Sequence, residues 1–297
     1  MKRNRVIDPS QHRVTTHKSV DSFCGPPPTP PGINVIDYGG VPIDFLNVPA
    51  EGAKTTLVLL HGAMESNVRL PVLSGAGVTR GLPASRIFIS DPSLLLSEDL
   101  TLAWYAGNTS QPRLQEHLAR MIEKVFHEHG SEQLIFFGGS GAGFAGLRLA
   151  AEIEGAKVLL WNAQTIIARY GAPSVRRFAE LAFDIDPYEY DPLSLIPQSV
   201  TLDLRPLYAS PTGTSVAYMQ NTSDTTHVER HFKPFMEALH PDNEVHLLAG
   251  DWGPGHTPPP KDLLKKILSD VVEHGWAAGI GEHGFTRVTS ETIDTAI

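Results

Sequence analysis

The sequence has a single cysteine, Cys24, among its 297 residues, so no disulfide bond can form within the chain. It has no apolar run of the roughly 18 residues that mark a membrane-spanning helix. No apolar segment follows the basic residues at its start, as one would in a secretory signal peptide. Positive charge is scarce: 24 lysines and arginines stand against 33 acidic residues, a net charge of −9, which argues against a nucleic-acid-binding surface. We therefore expect a cytoplasmic protein with no transmembrane segment and no nucleic-acid partner.

What the chain does have is enough apolar sequence for a large core. Hydrophobic residues make up 41% and charged residues 19%, and α/β folds of this length commonly form one domain. Residues 1–32 end in the proline-rich stretch Cys24–Gly32, which predicts a flexible, extended arm before the domain. The domain itself is expected over residues 33–275. Residues 276–297 are small and polar and predict a flexible tail.

Short, continuous apolar runs predict strands that are covered on both faces, as in a parallel sheet. A hairpin should precede them, because two strand-like segments flank the turn signal Gly39-Gly40. Apolar residues with helical spacing alternate with the runs, which predicts an α/β fold with a mostly parallel sheet and helices on both faces. Residues 165–200 interrupt the alternation with prolines and aromatics, and we expect them to form an inserted cap. The predicted hairpin strands are Asn34–Tyr38 and Val41–Val48; the predicted sheet strands are Thr55–Leu60, Ile87–Ser90, Gln133–Phe137, Lys157–Trp161, Ser215–Met219 and Glu244–Leu248; and the predicted helices cover Leu114–Phe126, Val228–Leu239 and Leu263–Val272.

The turn after the third of these sheet strands places a serine among small residues, Gly138-Gly-Ser140-Gly-Ala142. A strand, a glycine-rich turn and a helix in this order are typical of a nucleophile elbow. Such a turn strains the backbone of its central residue, so the residues two before and two after must be small; alanine stands here in a place more often taken by glycine. A phosphate-binding loop would need a lysine, and a dinucleotide fingerprint would need glycine where Phe144 stands. Ser140 is the predicted nucleophile.

An acid and a base follow the serine in the order that this architecture requires. Asp224 comes after the predicted strand Ser215–Met219, and His256 lies in the loop after the last predicted sheet strand. A serine hydroxyl is a weak nucleophile until an imidazole takes its proton, and a buried carboxylate orients that imidazole. The sequence thus predicts a Ser140–His256 hydrogen bond and an Asp224 contact with the other ring nitrogen.

Other residues compete for these roles. Asp251 is a rival acid, but it lies on the same loop as His256 and is expected to shape that loop. His227 and His231 are rival bases that precede the final strand, and we expect them to flank the site or to face solvent. With Glu229 they give the spacing H-x-E-x-H, which differs from the zinc-protease H-E-x-x-H. We predict neither a metal nor a cofactor.

Acyl transfer also needs donors for the developing oxyanion. Gly141, directly after the nucleophile, offers one backbone N–H, and the loop after the first long parallel strand should offer the second. Ala63 is the predicted donor there, with Met64 next, whereas His61 is assigned a structural role. Four side chains that follow strand ends are predicted to line the substrate, although core packing explains them nearly as well: Trp104, Tyr105, Trp161 and Gln164.

These motifs resemble the α/β-hydrolase superfamily over residues 33–275. The resemblance is carried by His61-Gly62, the elbow around Ser140, Asp224 and His256. In addition, Phe137–Gly146 with Trp161-Asn-Ala-Gln-Thr165 looks like a bacterial branch that includes accessory secretion proteins and enzymes near cell-surface polysaccharide genes, some similar to sugar O-acetyltransferases.

The resemblance implies a serine hydrolase that acts on an ester or acyl group through an acyl-enzyme. An acyltransferase acting on a glycan or glycoprotein would use the same residues, with a sugar hydroxyl in place of water. A hydrolase-fold binding protein without turnover is a third interpretation. The expected partner is a small-molecule or glycan acyl ester, and the sequence leaves the oligomeric state open.

Overall fold

The computed structural model describes residues 1–293. Ten strands form one mixed sheet in the order β1-β2-β3-β5-β4-β6-β7-β8-β9-β10. The central strands, from β5 through β4 to β9, run parallel to one another, while β3 and β10 pair antiparallel to their neighbours. The strands are β1 Val14–His17, β2 Gly32–Tyr38, β3 Val41–Val48, β4 Thr55–Leu59, β5 Ser85–Ser90, β6 Gln133–Gly139, β7 Lys157–Trp161, β8 Ser215–Asn221, β9 Glu244–Gly250 and β10 Thr286–Arg287.

Helices cover both faces of the sheet, which confirms the predicted fold class. Neighbouring residues of one strand, such as Leu57 and Val58, belong to the two separate apolar clusters on opposite faces. No helix among residues 1–293 is long and apolar enough to cross a membrane. The helices are α1 Val20–Phe23, α2 Ala76–Thr79, α3 Leu114–His129, α4 Gly141–Ala150, α5 Ala172–Phe183, α6 Arg205–Tyr208, α7 Thr225–His227, α8 Lys233–Glu237, α9 Lys261–His274 and α10 Trp276–Gly281, with 3-10 turns at Pro92–Leu96, Ile167–Arg169 and Pro192–Leu195 and a π-helical turn at Val228–Phe232.

The predicted hairpin and sheet strands lie within one or two residues of the observed ones. The helix predicted over Val228–Leu239 is present as an unbroken helical segment from Thr225 to Glu237, but a π-helical turn at Val228–Phe232 separates its α-helical parts α7 and α8. A π-helical turn carries one extra residue, which the apolar spacing alone does not indicate.

The start of the chain packs against the domain rather than forming the flexible arm predicted for residues 1–32. Strand β1 pairs parallel with β2, and Arg3 is only 4% exposed. A guanidinium offers five N–H donors, and this one donates to main-chain carbonyls of two separate loops. The acceptors are the carbonyl oxygens of Glu65, Ser66, Val68, Glu98 and Leu100.

The end of the chain also departs from the flexible tail predicted for residues 276–297. Helix α10 packs on α9, and β10 extends the sheet beyond β9. Trp276 and Ile293 are buried, so apolar contacts hold the segment in place. Residues 294–297 of the predicted tail lie outside the described residues.

The segment predicted as a cap, residues 165–200, follows β7 and contains α5. Its Phe178 packs edge-on against Trp104, with 5.3 Å between ring centroids, and the Ala182 carbonyl accepts from the Thr109 N–H. Trp104 in turn contacts Gln164, which follows the carboxyl end of β7. The role of this segment in controlling access stays a prediction.

Candidate active site

Ser140 occupies a sharp turn between β6 and α4. Its φ of 57° and ψ of −123° define a backbone conformation that residues other than glycine adopt only under strain. The surroundings leave no room for larger residues: a Cβ added to Gly138 would lie 2.6 Å from Ala142 Cβ, and one added to Gly143 would lie 2.6 Å from Ala163 Cβ. The small residues are therefore what allows the strand and helix to meet at this angle.

Asp224 lies just past the end of β8, where its carboxylate caps the helix α7 by accepting from the His227 N–H. One carboxylate oxygen, Oδ2, lies 2.6 Å from Nδ1 of His256, in the loop between β9 and α9. The Asp224 side chain is 3% exposed, and that of His256 is 42% exposed. Burial raises the pKa of Asp224, but hydrogen bonds from His256 and His227 outweigh it, and the net pKa is below its usual range. Asp224 is thus held as a carboxylate beside the imidazole.

Asp251, the rival acid, makes different contacts. Its Oδ1 accepts from the Ser223 hydroxyl at 2.9 Å and from the Gly253 N–H at 3.1 Å. Both partners belong to the loops around the site, and the His256 ring is bonded to Asp224 instead. The structure therefore shows Asp251 bracing the loop that carries His256.

Ser140 Oγ accepts a hydrogen bond from Gln164 Nε2 at 2.9 Å. The predicted Ser140–His256 bond is not among the hydrogen bonds of residues 1–293. Gln164 Oε1 in turn accepts from the Trp104 indole N–H. Sequence reasoning placed Trp104 and Gln164 near the substrate but missed this connection to the nucleophile, because residues 60 positions apart gave no signal of pairing.

The rival bases lie close to the acid. His227 Nδ1 lies 3.0 Å from Asp224 Oδ1, and its ring stacks on that of His256 with 4.0 Å between centroids. His231 is fully buried, and its Nδ1 accepts from the Thr165 N–H at 3.3 Å. Burial lowers the pKa of His227, helped by the nearby His256, and lowers that of His231 to about 3. Both rings therefore stay neutral around pH 7, beneath the exposed His256.

A set of possible metal ligands does converge here, though not the set weighed from the sequence. Potential ligand atoms of Asp224, His227 and His256 lie within 4.8 Å of one another. Glu229 is exposed and pairs with Lys233 at 2.7 Å, so it lies apart from this set. Each imidazole in the set directs Nδ1 at the carboxylate, an arrangement that hydrogen bonding accounts for on its own.

The predicted oxyanion loop follows β4. Met64 already donates its N–H to the Thr101 carbonyl at 2.8 Å, so it is not free in this conformation, and Ala63 remains the candidate donor from this loop. Gly141 begins α4, where backbone N–H groups have no partner within the helix. His61 Nε2 accepts from the Asp91 N–H at 3.0 Å, and burial lowers the pKa of His61 to about 4. A neutral ring that holds the loop matches the structural role assigned to His61.

Three of the four predicted substrate-lining residues are buried in protein contacts. Trp104 and Tyr105 are each 1% exposed and Gln164 is fully buried. The Tyr105 hydroxyl donates to the Ile89 carbonyl and accepts from the His61 N–H. The fourth, Trp161, is partly exposed and lines a mostly apolar cavity of about 270 Å³. This cavity reaches Gly62 and Gly139, next to the nucleophile, and Pro258 and Pro259, close to His256.

Known proteins resemble this chain in structure but not in sequence. No family model and no curated protein matches the sequence. A capsule O-acetyltransferase of Neisseria meningitidis serogroup A, solved as a histidine-to-alanine mutant in complex with CoA, superposes with a TM-score of 0.60 at 10% identity, covering 82% of this chain and 95% of that one.

Two hydrolases also superpose. An S-formylglutathione hydrolase from Agrobacterium tumefaciens has a TM-score of 0.54 at 11% identity, covering 82% of this chain and 93% of that chain. A Pyrococcus horikoshii acylaminoacyl peptidase has a TM-score of 0.58 at 13% identity, covering 89% of this chain and 44% of that chain. At sequence identities this low, the superpositions show a shared fold and carry no information about activity. The chain has the α/β-hydrolase fold.

Proposed function

We propose that this protein is a serine-dependent enzyme that hydrolyses a carboxylic ester or a related acyl group. One observation carries the proposal: a serine held in a strained strand–helix turn lies on the same sheet edge as an imidazole bonded to a buried carboxylate. The three residues are Ser140, His256 and Asp224. Strain at a serine and a buried, oriented acid–base pair are both costly to fold, and they cluster at functional sites.

In the proposed reaction, Ser140 Oγ attacks the acyl carbon while His256 takes the hydroxyl proton. Because Nδ1 of His256 faces Asp224, the atom that receives the proton is Nε2. The carboxylate keeps the ring in this tautomer and stabilises it once it is charged. The N–H groups of Gly141 and Ala63 would bind the oxyanion. His256 then gives its proton to the leaving alcohol, and an acyl-enzyme remains.

Water completes the cycle by attacking the acyl-enzyme with His256 again as base. The exposed position of His256 suits this step, since solvent reaches the ring. The mostly apolar cavity beside Trp161 and Gly139 would take the acyl part of the substrate. We therefore propose an apolar acyl group of modest size as the group that is transferred.

An acyltransferase is the second candidate, favoured by the likeness to the capsule O-acetyltransferase over 95% of that chain. In this reaction a sugar hydroxyl replaces water in the second half and receives the acyl group from Ser140. The first half and its residues are unchanged.

A fluorophosphonate probe followed by a panel of acyl esters tests the proposal. The wild-type protein should be labelled on Ser140 and should turn over esters. Ser140→Ala should lose both activities, while Ser269→Ala, whose hydroxyl bonds to Glu273 on α9, should keep them. Labelling that survives in Ser140→Ala would exclude this serine mechanism, and a wild-type protein without labelling or turnover would favour the binding-protein interpretation. Product analysis with a glycan added separates the two activities. A hydrolase releases the free acid, whereas a transferase forms an acylated sugar.

A further inference from the structure

The nucleophile Ser140 is hydrogen-bonded to a buried side chain, Gln164, that the proposed mechanism does not use. Gln164 contacts Ser140 twice: its Nε2 lies 2.9 Å from Oγ, and its backbone N–H donates to the Ser140 carbonyl at 3.2 Å. Gln164 is fully buried, so an amide that large would be costly there without partners. It therefore forms part of the elbow rather than of a solvent-filled pocket.

Trp104 fixes which way the Gln164 amide points. An indole N–H can only donate, so the amide atom that faces Trp104 must be the oxygen Oε1. The amide nitrogen then faces Ser140 and must donate to Oγ. Ser140 Oγ is thus an acceptor in this bond, and its own proton has to point elsewhere.

The backbone around Trp104 shows that its position is enforced. Trp104 and Tyr105 both have a φ of 54°, a left-handed conformation that bulky residues rarely adopt. The Tyr105 N–H is held by Asp91 Oδ2 at 2.7 Å, and Phe178 packs against the Trp104 ring. The indole is therefore locked, and with it the orientation of the amide.

We propose that Gln164, oriented by Trp104, is a further catalytic residue: its amide donor occupies one lone pair of Ser140 Oγ and so directs the hydroxyl proton towards His256. The same donor stabilises the negative charge on Oγ while its proton passes to His256, and again when Oγ departs as the acyl-enzyme breaks down. This inference rests on the proposed function. Trp104 acts through Gln164 and is a positioning residue.

Gln164→Glu is the sharpest test, because it preserves the shape of the side chain while it replaces the amide donor by a carboxylate. The new carboxylate would still accept from Trp104 but would present an acceptor to Ser140, competing with His256 for the hydroxyl proton. Losing one donor at a reacting oxygen should lower kcat and the phosphonate labelling rate roughly 100-fold, with KM little changed. Trp104→Phe, which frees the amide to flip, should cost roughly tenfold.

The pH dependence separates this role from a merely structural one. When the new carboxyl is protonated it can donate again, so the labelling rate of Gln164→Glu relative to wild type should rise as the solution is acidified from mildly alkaline to mildly acidic pH. The titratable side chains around the site are Asp224, His227, His231 and His256, and both proteins contain them, so a ratio that changes with pH reports on the new carboxyl group. A constant ratio would overturn the inference.

Gln115→Glu is the matched control. Gln115 is also buried and bonded to the main chain, at Thr201, and it has no bond to Ser140 among the described residues. The Gln115→Glu variant should lose about as much stability as Gln164→Glu does, but it should keep the wild-type kcat. If wild type is labelled at Ser140 while Gln164→Glu reacts at the wild-type rate, this inference fails and the proposed function stands. If wild type is not labelled at all, the proposed function fails first.

Discussion

The His227 ring stacks on that of His256 at a centroid distance of 4.0 Å and an interplanar angle of 18°. Both rings turn Nδ1 towards Asp224, which accepts from the two of them. A carboxylate held from two sides cannot swing away from its partner. The proposed base thus rests on a buried, neutral ring, and Asp224 supplies the negative charge that a protonated His256 would need.

Replacing Asp224 by Asn should lower turnover by about four orders of magnitude, because the ring loses both its orientation and its charge partner. Steady-state kinetics on a simple ester measures the effect. Asp251→Asn is the control: that residue braces the same loop through Ser223 and Gly253, and its loss should change turnover only severalfold. A larger loss for Asp251→Asn than for Asp224→Asn would identify Asp251 as the acid.

Acidification should destabilise the fold through His61. Its pKa is about 4 in the folded protein and near ~6.5 in the unfolded chain. Between these values the unfolded state binds the extra proton, so stability falls as pH falls, by about 2 kcal/mol at about pH 5. Burial raises the pKa of Asp91 to about 6. The folded state therefore binds this proton more readily than the unfolded chain, and Asp91 adds stability as the pH falls.

Urea unfolding of wild type and His61→Gln at about pH 7 and about pH 5 isolates the histidine. The variant lacks the ionisation, so the gap between the two unfolding free energies should narrow by about 2 kcal/mol on going to the lower pH. A gap that stays constant with pH would mean that the His61 ring is not held neutral in the fold.

Chelation should leave the activity unchanged, since the serine mechanism uses Asp224 and His256 without a metal. Dialysis against EDTA or phenanthroline, followed by ester hydrolysis, measures this. Activity that disappears on chelation and returns with zinc would instead assign the Asp224, His227 and His256 set to a metal and overturn the serine mechanism.

Filling the apolar cavity should change which esters are accepted. Val78 lines it from α2, and Val78→Trp should lower kcat/KM for longer acyl groups by about tenfold or more, through lost space, while acetyl esters change little. Ala76→Trp, on the exposed side of the same helix, should leave the preference as it is. Equal losses for short and long esters in Val78→Trp would place the acyl group elsewhere.

Much of the fold and the outline of the site could be predicted from the sequence, because their signals are local. Lys157–Trp161 is a strand with the bounds that its apolar run indicates, and the small residues around Ser140 predict the turn they form. Asp224 and His256 could be named because each follows a strand at the same sheet edge, where parallel strands bring them together.

The contacts that could not be predicted join residues far apart in the chain. The hydrogen bond between Trp104 and Gln164 depends on a left-handed backbone conformation at Trp104. Glycine is the usual sequence signal for that conformation, and here the position is a tryptophan. The packing of the first residues was missed because Arg3 finds its carbonyl partners more than 60 residues away. Proline content describes the local chain and carries no information about such partners.

The two ends of the sheet are closed by its shortest strands. Strand β1 has four residues and β10 has two, and each covers a seven-residue strand, β2 or β9. Short outer strands offer little backbone for another chain to pair with. Trimming the chain at either terminus, as is common when a protein is prepared for crystallisation, would uncover a longer apolar edge and promote aggregation without touching the site.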